Sequence, residues 1–97
     1  MAKVVLASAL ARWLPDAADR PPGEVALDVE GASVGEVLGG VFARFPALRG
    51  YVVDDQGAVR HHVAVFVDGD AIRDKRHLVQ PVGARAEVYV MQALSGG

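Results

Sequence analysis

The sequence predicts a small α+β domain, in which a mixed sheet of four to five strands carries one main helix across one face. The first and last apolar segments, residues 3–10 and 86–91, are almost uniformly hydrophobic, which is typical of strands in the middle of a sheet. Between them, residues 33–45 carry apolar side chains at helical spacing, and strand-like segments lie on either side of this helix. A single helix can cover only one face of such a sheet.

The N-terminal part of the chain predicts a pair of antiparallel strands. Residues 24–30 alternate between polar and apolar side chains, so the apolar ones point to one face of a half-buried strand. The connection over residues 11–23 is rich in proline, aspartate and glycine, and we expect a short helical turn around Trp13 within it. Trp13 itself is predicted to cap one end of the core.

The helix has recognisable signals at both ends. Ser33 and Glu36 form an S-x-x-E capping box, which satisfies otherwise unpaired amides at the helix start, and Pro46 ends the helix. Glycine costs about 1 kcal/mol relative to alanine in a helix interior, so packing has to hold this helix together. Close approach to the sheet is the expected reason for its three interior glycines, Gly35, Gly39 and Gly40.

The second half of the chain supplies the remaining strands. Residues 61–67 alternate along a predicted strand, and Asp68-Gly69 is a hairpin signal that leads into a short strand over residues 70–73. A turn over residues 81–85 then leads into the last strand. With the first and last strands side by side at the centre, this order gives a β-grasp (ubiquitin-like) sheet.

The last strand has apolar residues on both of its sides. Val88 and Val90 point opposite to Tyr89 and Met91, and one helix cannot bury both pairs. One pair should therefore lie in an exposed apolar patch, which predicts a protein partner at the uncovered face. Tyr89 is expected to face outward, because its ring buries area while its hydroxyl tolerates water.

Composition excludes several classes of function. A chain of 97 residues has room for one domain, and a net charge of −2 with interspersed signs indicates neither a nucleic acid nor an anionic membrane as partner. The sequence holds no cysteine, which excludes disulfides, thiolate metal sites and a cysteine nucleophile within the chain. No membrane span or signal peptide is predicted, so we expect a cytoplasmic protein.

The chain ends on Gly96-Gly97, directly after the last strand. We expect a folded domain over residues 1–91 and a flexible tail over residues 92–97, which reaches about 20 Å when extended at roughly 3.3 Å per residue. Two terminal glycines can enter a narrow channel and would present the Gly97 α-carboxylate to another protein. At this point a frayed end without a role explains the same residues equally well.

Taken with the tail, these segments resemble the MoaD/ThiS family of ubiquitin-like sulfur carriers, which includes the molybdopterin synthase small subunit and the thiamine sulfur carrier. The resemblance lies in the first strand, the capped helix, the hairpin over residues 63–70 and residues 87–97. Within the family, residues 57–63 and the Ala-Leu-Ser-Gly-Gly ending are most similar to carriers that serve cysteine biosynthesis.

The resemblance implies a carrier that is not itself an enzyme. A partner of the ubiquitin-activating type would adenylate the Gly97 carboxylate with ATP and magnesium, and a sulfur donor would displace AMP to leave a thiocarboxylate for a sulfur-accepting synthase. The chain itself would bind no cofactor or metal. The reacting group is then the Gly97 carboxylate with Gly96 beside it, and the residues expected to dock partners are Tyr89, Met91, Ala93, Leu94 and Ser95.

Three other interpretations compete with this one. His61, His62 and His77 could suggest a metal site, but the adjacent pair points to opposite faces of a strand and no second ligand motif supports these histidines. The chain could also be a β-grasp binding module or enzyme subunit with an incidental Gly-Gly. The third alternative is a ubiquitin-like modifier that forms isopeptide bonds with lysines.

Overall fold

The first and last strands of the chain lie side by side at the centre of one five-stranded sheet. The fold is that of a computed structural model, which describes residues 1–92. Its strands are β1 (Ala2–Leu6), β2 (Val25–Val29), β3 (Val63–Val67), β4 (Asp70–Ala71) and β5 (Glu87–Gln92). Their order in the sheet is β2-β1-β5-β3-β4, with β1 and β5 parallel and the other neighbouring pairs antiparallel. The predicted mixed sheet is therefore confirmed.

One long helix covers one face of this sheet, which we call the inner face. The helices are α1 (Ser8–Ala11), α2 (Val34–Arg44) and α3 (Arg49–Val52). A short 3-10 turn at Ala17–Asp19 lies between α1 and β2, and another at Pro46–Leu48 joins α2 to α3. The apolar stripe of α2 packs into the core as its spacing predicts, and its buried members are Val34, Val37, Leu38, Val41 and Phe42. Opposite them, the central strands present fully buried side chains: Val4, Leu6, Val63, Val65, Val88 and Val90.

The predicted caps of α2 are present. The Ser33 hydroxyl accepts a hydrogen bond from the Glu36 backbone N–H at 3.2 Å. The Glu36 carboxylate accepts from the Ala32 N–H at 3.0 Å, one residue earlier than in an ideal capping box, so two donors at the helix start are satisfied. Phe45 ends the helix, and Pro46 begins the next turn.

The first strand is shorter than the sequence predicts. It ends at Leu6, and the rest of the apolar run forms the helical turn α1, in which Leu10 and Ala11 are buried. The run is apolar to its end because α1 packs over one end of the core, so uniform hydrophobicity could not separate strand from turn. The predicted turn around Trp13 thus begins earlier, at Ser8.

The strand predicted from residue 61 begins at Val63, and His61 and His62 lie in the preceding turn. At its other end the predicted hairpin is confirmed. Asp68 and Gly69 both have positive φ, at 50° and 89°, as a tight two-residue turn requires.

The interior glycines of α2 have different causes. A Cβ at Gly40 would collide with the Cγ1 of Val29 on β2, so this glycine does permit the predicted close approach to the sheet. A Cβ at Gly35 would meet the Leu78 carbonyl at 3.0 Å, which is a loop contact, and at Gly39 it would meet nothing within 4 Å. Of these three glycines, only Gly40 is needed for the helix to pack closely against the sheet.

Gly39→Ala and Gly40→Ala form a matched pair that tests this packing. We expect Gly39→Ala to stabilise the domain by up to about 1 kcal/mol, because alanine is the better helix former and the site is open. Gly40→Ala should destabilise it by about 1–3 kcal/mol, because the methyl group overpacks against a stiff, buried valine. Denaturant unfolding of both variants measures the effect, and equal stabilities would contradict the close approach.

Candidate functional site

The last strand brings Gln92, the last described residue, to one end of the sheet. β5 runs to Gln92, which pairs with Val63 at the start of β3, and the Ala7 N–H just after β1 donates to the Val90 carbonyl at 2.9 Å. We call this end of the sheet, where β1 and β5 end and β3 begins, the tail end. The strand is one residue longer than predicted. The remaining predicted site residues, Ala93, Leu94, Ser95, Gly96 and Gly97, lie outside the described residues, so their roles stay predictions.

A lysine fixes the start of β3 at the tail end. The Lys75 Nζ lies within hydrogen-bond distance of three backbone carbonyls, those of Arg60 at 3.2 Å, His61 at 3.2 Å and Val63 at 2.6 Å. The ammonium group has three N–H donors, so all of them are used. This clamp holds the turn before β3, and through β3 it supports the strand from which the terminus departs.

The outer face, opposite α2, carries one apolar row that crosses the whole sheet. In strand order its members are Ala26, Val5, Tyr89, Phe66 and Ala71. Toward the tail end the neighbouring pair is Ala64 and Met91, whereas away from it the row is polar: Asp28, Lys3 and Glu87. The apolar part of the outer face therefore adjoins the strand end that carries the terminus.

Tyr89 lies across this face. Its hydroxyl donates a hydrogen bond of 2.7 Å to the carboxylate of Glu24, which precedes β2. Since β1 separates β5 from β2, the Tyr89 side chain has to pass over β1 to reach that partner. This position beside Val5 explains why Val5 is only 7% exposed although it points away from α2.

The same contact changes the acidity of the phenol. The hydrogen bond to the Glu24 carboxylate, with smaller contributions from burial and from the negative charge of Glu24, raises the pKa of Tyr89 above its ordinary value. Each of these favours the neutral phenol, which alone can donate the hydrogen bond.

The prediction that Tyr89 faces outward is confirmed, and Met91 lies on the same side. Val88 and Val90 are fully buried beneath α2, whereas Tyr89 and Met91 are half-buried on the outer face. The outer face is nevertheless less exposed than predicted, because the aromatic rings cover their neighbours. Tyr89 and Met91 are therefore only partly exposed to solvent on this face.

Sequence reasoning missed an exposed aromatic pair at the tail end. Trp13 and Tyr51 stack with ring centroids 4.8 Å apart and planes 11° from parallel. They are 41% and 38% exposed, so Trp13 is not the core cap that the sequence predicts; Leu14, at 3%, is buried in its place. The partners are 38 positions apart, and no local pattern could have joined them.

The tail end also carries two open cavities of about 380 and 390 Å³, lined in part by Ser8 and Arg12 and by Arg60 and His62. The His61 and His62 rings meet edge-on at 5.4 Å. Over residues 1–92, no group of three or more histidine, aspartate or glutamate side chains is placed to hold a metal ion. None of the helices in this part of the chain is long and apolar enough to span a bilayer.

Comparison with known proteins gives the fold a family context. The sequence matches no protein-family profile and, by sequence, no curated protein significantly. Among solved structures, small archaeal modifier protein SAMP1 from Haloferax volcanii is 28% identical over 99% of this chain and 98% of its own, with a TM-score of 0.73. A chain of the Amycolatopsis orientalis BexX/CysO complex is 20% identical over the full length of both, with a TM-score of 0.80. CysO from Mycobacterium tuberculosis is 17% identical over 94% of this chain and 99% of its own, with a TM-score of 0.70.

These likenesses confirm the β-grasp fold. They also confirm the predicted resemblance to ubiquitin-like proteins of the MoaD/ThiS type. The chain is accordingly similar to small ubiquitin-like proteins that include an archaeal modifier protein.

The hydrogen bond between Tyr89 and Glu24 predicts that the free energy of unfolding depends on pH. Because the folded-state pKa is raised, the stabilisation is fully present below the unfolded value of about 10 and is lost as the pH rises through the folded pKa. In a Tyr51→Phe background, phenolate absorbance should therefore appear at higher pH than after the further change Glu24→Gln. The difference in free energy of unfolding between the Tyr51→Phe protein and its Tyr89→Phe derivative should shrink as the pH rises through the folded pKa of Tyr89. If the phenolate appeared at the same pH with and without Glu24→Gln, the contact between Tyr89 and Glu24 would be contradicted.

Proposed function

We propose that this protein is a sulfur carrier, whose Gly97 carboxylate is adenylated by a partner enzyme and converted to a thiocarboxylate. The observation that carries the proposal is the central position of β5, which leads directly to a Gly-Gly ending in a fold similar to SAMP1. The thiocarboxylate would donate sulfur to a synthase in the biosynthesis of cysteine, molybdopterin or thiamine. ATP and magnesium would be used by the activating enzyme and not bound by this chain.

The chemistry requires activation because a carboxylate is a poor electrophile. Attack of a Gly97 carboxylate oxygen on the α-phosphorus of ATP would form an acyl-adenylate and release pyrophosphate. Hydrosulfide would then add to the acyl carbon and expel AMP, leaving a C-terminal thiocarboxylate and one proton. This chain supplies the acyl group, and the partner supplies the catalytic residues.

The geometry at the tail end supports this role. Five residues follow Gln92, and an extended chain of that length spans about 16 Å, which suffices to enter a channel in another protein. β5 hydrogen-bonds to a strand on each side, and the Lys75 clamp fixes one of those neighbours. The strand that precedes the tail is therefore held by hydrogen bonds on both of its sides.

The outer face supports a docking role beside the terminus. Tyr89 and Met91, together with Phe66, present partly exposed apolar surface on the strands that end or begin at the tail end. We propose that the activating enzyme binds this face while its active site receives the tail. Docking would then supply affinity, and Gly97 would supply the reacting group.

Protein modification is a second candidate, favoured by the likeness to the small archaeal modifier protein. The same activated carboxylate would then be attacked by a lysine amine of a target and form an isopeptide bond. Conjugates that resist thiols and hydroxylamine would support modification, whereas a free thiocarboxylate that reacts onward with an acceptor would support sulfur transfer.

Mass spectrometry tests the proposed activation directly. After incubation with the activating enzyme, ATP, magnesium and hydrosulfide, the intact mass should increase by about 16 Da, because sulfur replaces one carboxylate oxygen. A protein lacking Gly97 is the matched control: its thermal unfolding should be unchanged and its mass should not shift. No shift in the full-length chain, under conditions that convert a known carrier, would reject sulfur transfer.

A pair of substitutions tests docking through the outer face. We expect Tyr89→Ser to keep the fold and weaken binding to the activating enzyme at least tenfold, because it removes a half-buried ring at the centre of the apolar row. Val88→Ser, one residue earlier, should instead unfold the domain, because it places an unpaired hydroxyl in the core. Titration calorimetry and thermal melting separate the two effects. If Tyr89→Ser bound as tightly as wild type, the docking surface would lie elsewhere.

A further inference from the structure

The stacked aromatic pair at the tail end is prearranged on buried supports. Trp13 follows α1 and precedes Leu14, while Tyr51 lies within α3; Leu14 and Val52 are both buried in the core. On the Tyr51 side, the Arg60 Nε donates to the Gly50 carbonyl at 2.8 Å and fixes α3 from outside. Both rings are thus held in place before any partner arrives, which lowers the entropic cost of binding.

The pair also carries an accessible positive charge. The Arg12 guanidinium lies 5.1 Å from the centre of the Trp13 ring. Within residues 1–92, Arg12 takes part in no ion pair, and its side chain also lines the cavity beside Ser8. We call Arg12, Trp13 and Tyr51 the aromatic platform. A carboxylate beside it would find both an unpaired guanidinium and two apolar ring surfaces.

The aromatic platform lies at the same end of the sheet as the terminus. α1 follows β1 directly and packs against β5, and the Ala7 N–H at its start is bonded to the Val90 carbonyl. α3 leads into the turn before β3, where the Arg60 N–H donates to the Val52 carbonyl. The aromatic platform and Gln92, the last described residue, therefore lie at the same end of the sheet.

We propose that the aromatic platform is a second docking surface for the activating enzyme, which would place an acidic side chain against Arg12 and an apolar one against the rings. The inference rests on the proposed function. An active site that encloses the tail from its root has to contact the tail end, and tryptophan, tyrosine and arginine are the residues that most often dominate binding at interfaces.

The experiment uses the full chain and the activating enzyme that produces the 16 Da shift. Trp13→Ala and Arg12→Glu are compared with Val79→Ser, which alters an apolar residue that is 78% exposed in the connection before Pro81. Both platform variants should raise the KM for the carrier, and its Kd measured without ATP, about tenfold or more. The kcat should stay within about twofold, since the reacting carboxylate is unchanged. Val79→Ser should match wild type.

The possible results separate the platform inference from the proposed sulfur transfer. A wild-type KM and Kd in both platform variants would overturn the inference while leaving sulfur transfer intact. A platform that instead mediates self-association, seen as wild-type dimers lost in Trp13→Ala with KM unchanged, would overturn it as well. If a platform variant melts at a lower temperature, Arg12→Gln repeats the measurement, because it removes the charge and keeps most of the side chain. If the wild-type protein showed no shift of about 16 Da, both the proposed sulfur transfer and the activating enzyme as partner of the platform would be rejected.

Discussion

The parallel pairing of β1 with β5 is the constraint on which the rest of this structure depends. It joins the two ends of the chain at the centre of the sheet, so that β5 bonds to a neighbour on each side. Parallel strands have to be joined by a crossover, and here the crossover includes α2, which covers the inner face. The same pairing that closes the core therefore also fixes the end of the sheet at which β5 ends.

The two faces of β5 use this central position differently. Val88 and Val90 are fully buried against the helix side, where they contribute to the one core of the domain. On the other side, Tyr89 reaches over β1 to Glu24, which ties three strands together without a second layer of helices. A sheet with antiparallel strands can leave one face to solvent, and here Tyr89 shields the apolar Val5 on that face.

Much of this could be predicted from residue patterns because the determinants are local. The alternation of β2, the stripe and cap of α2 and the Asp68-Gly69 turn each specify their own conformation. The end of β1 could not be predicted, because strand and helical turn share one apolar run. The tail end resisted prediction for another reason: the Trp13–Tyr51 stack and the carbonyl contacts of Lys75 join residues that only the fold brings together.

The Lys75 clamp also limits which amines this protein can offer. Lys3 and Lys75 are the two lysines among ten basic residues, the others being arginines. An ammonium whose three N–H groups all point to carbonyl oxygens has to break those bonds before its nitrogen can attack an acyl carbon. Guanidinium groups stay protonated and are poor nucleophiles. Of the two lysines, only the exposed Lys3 would then offer an unengaged amine to an activated acyl group on another copy of the chain.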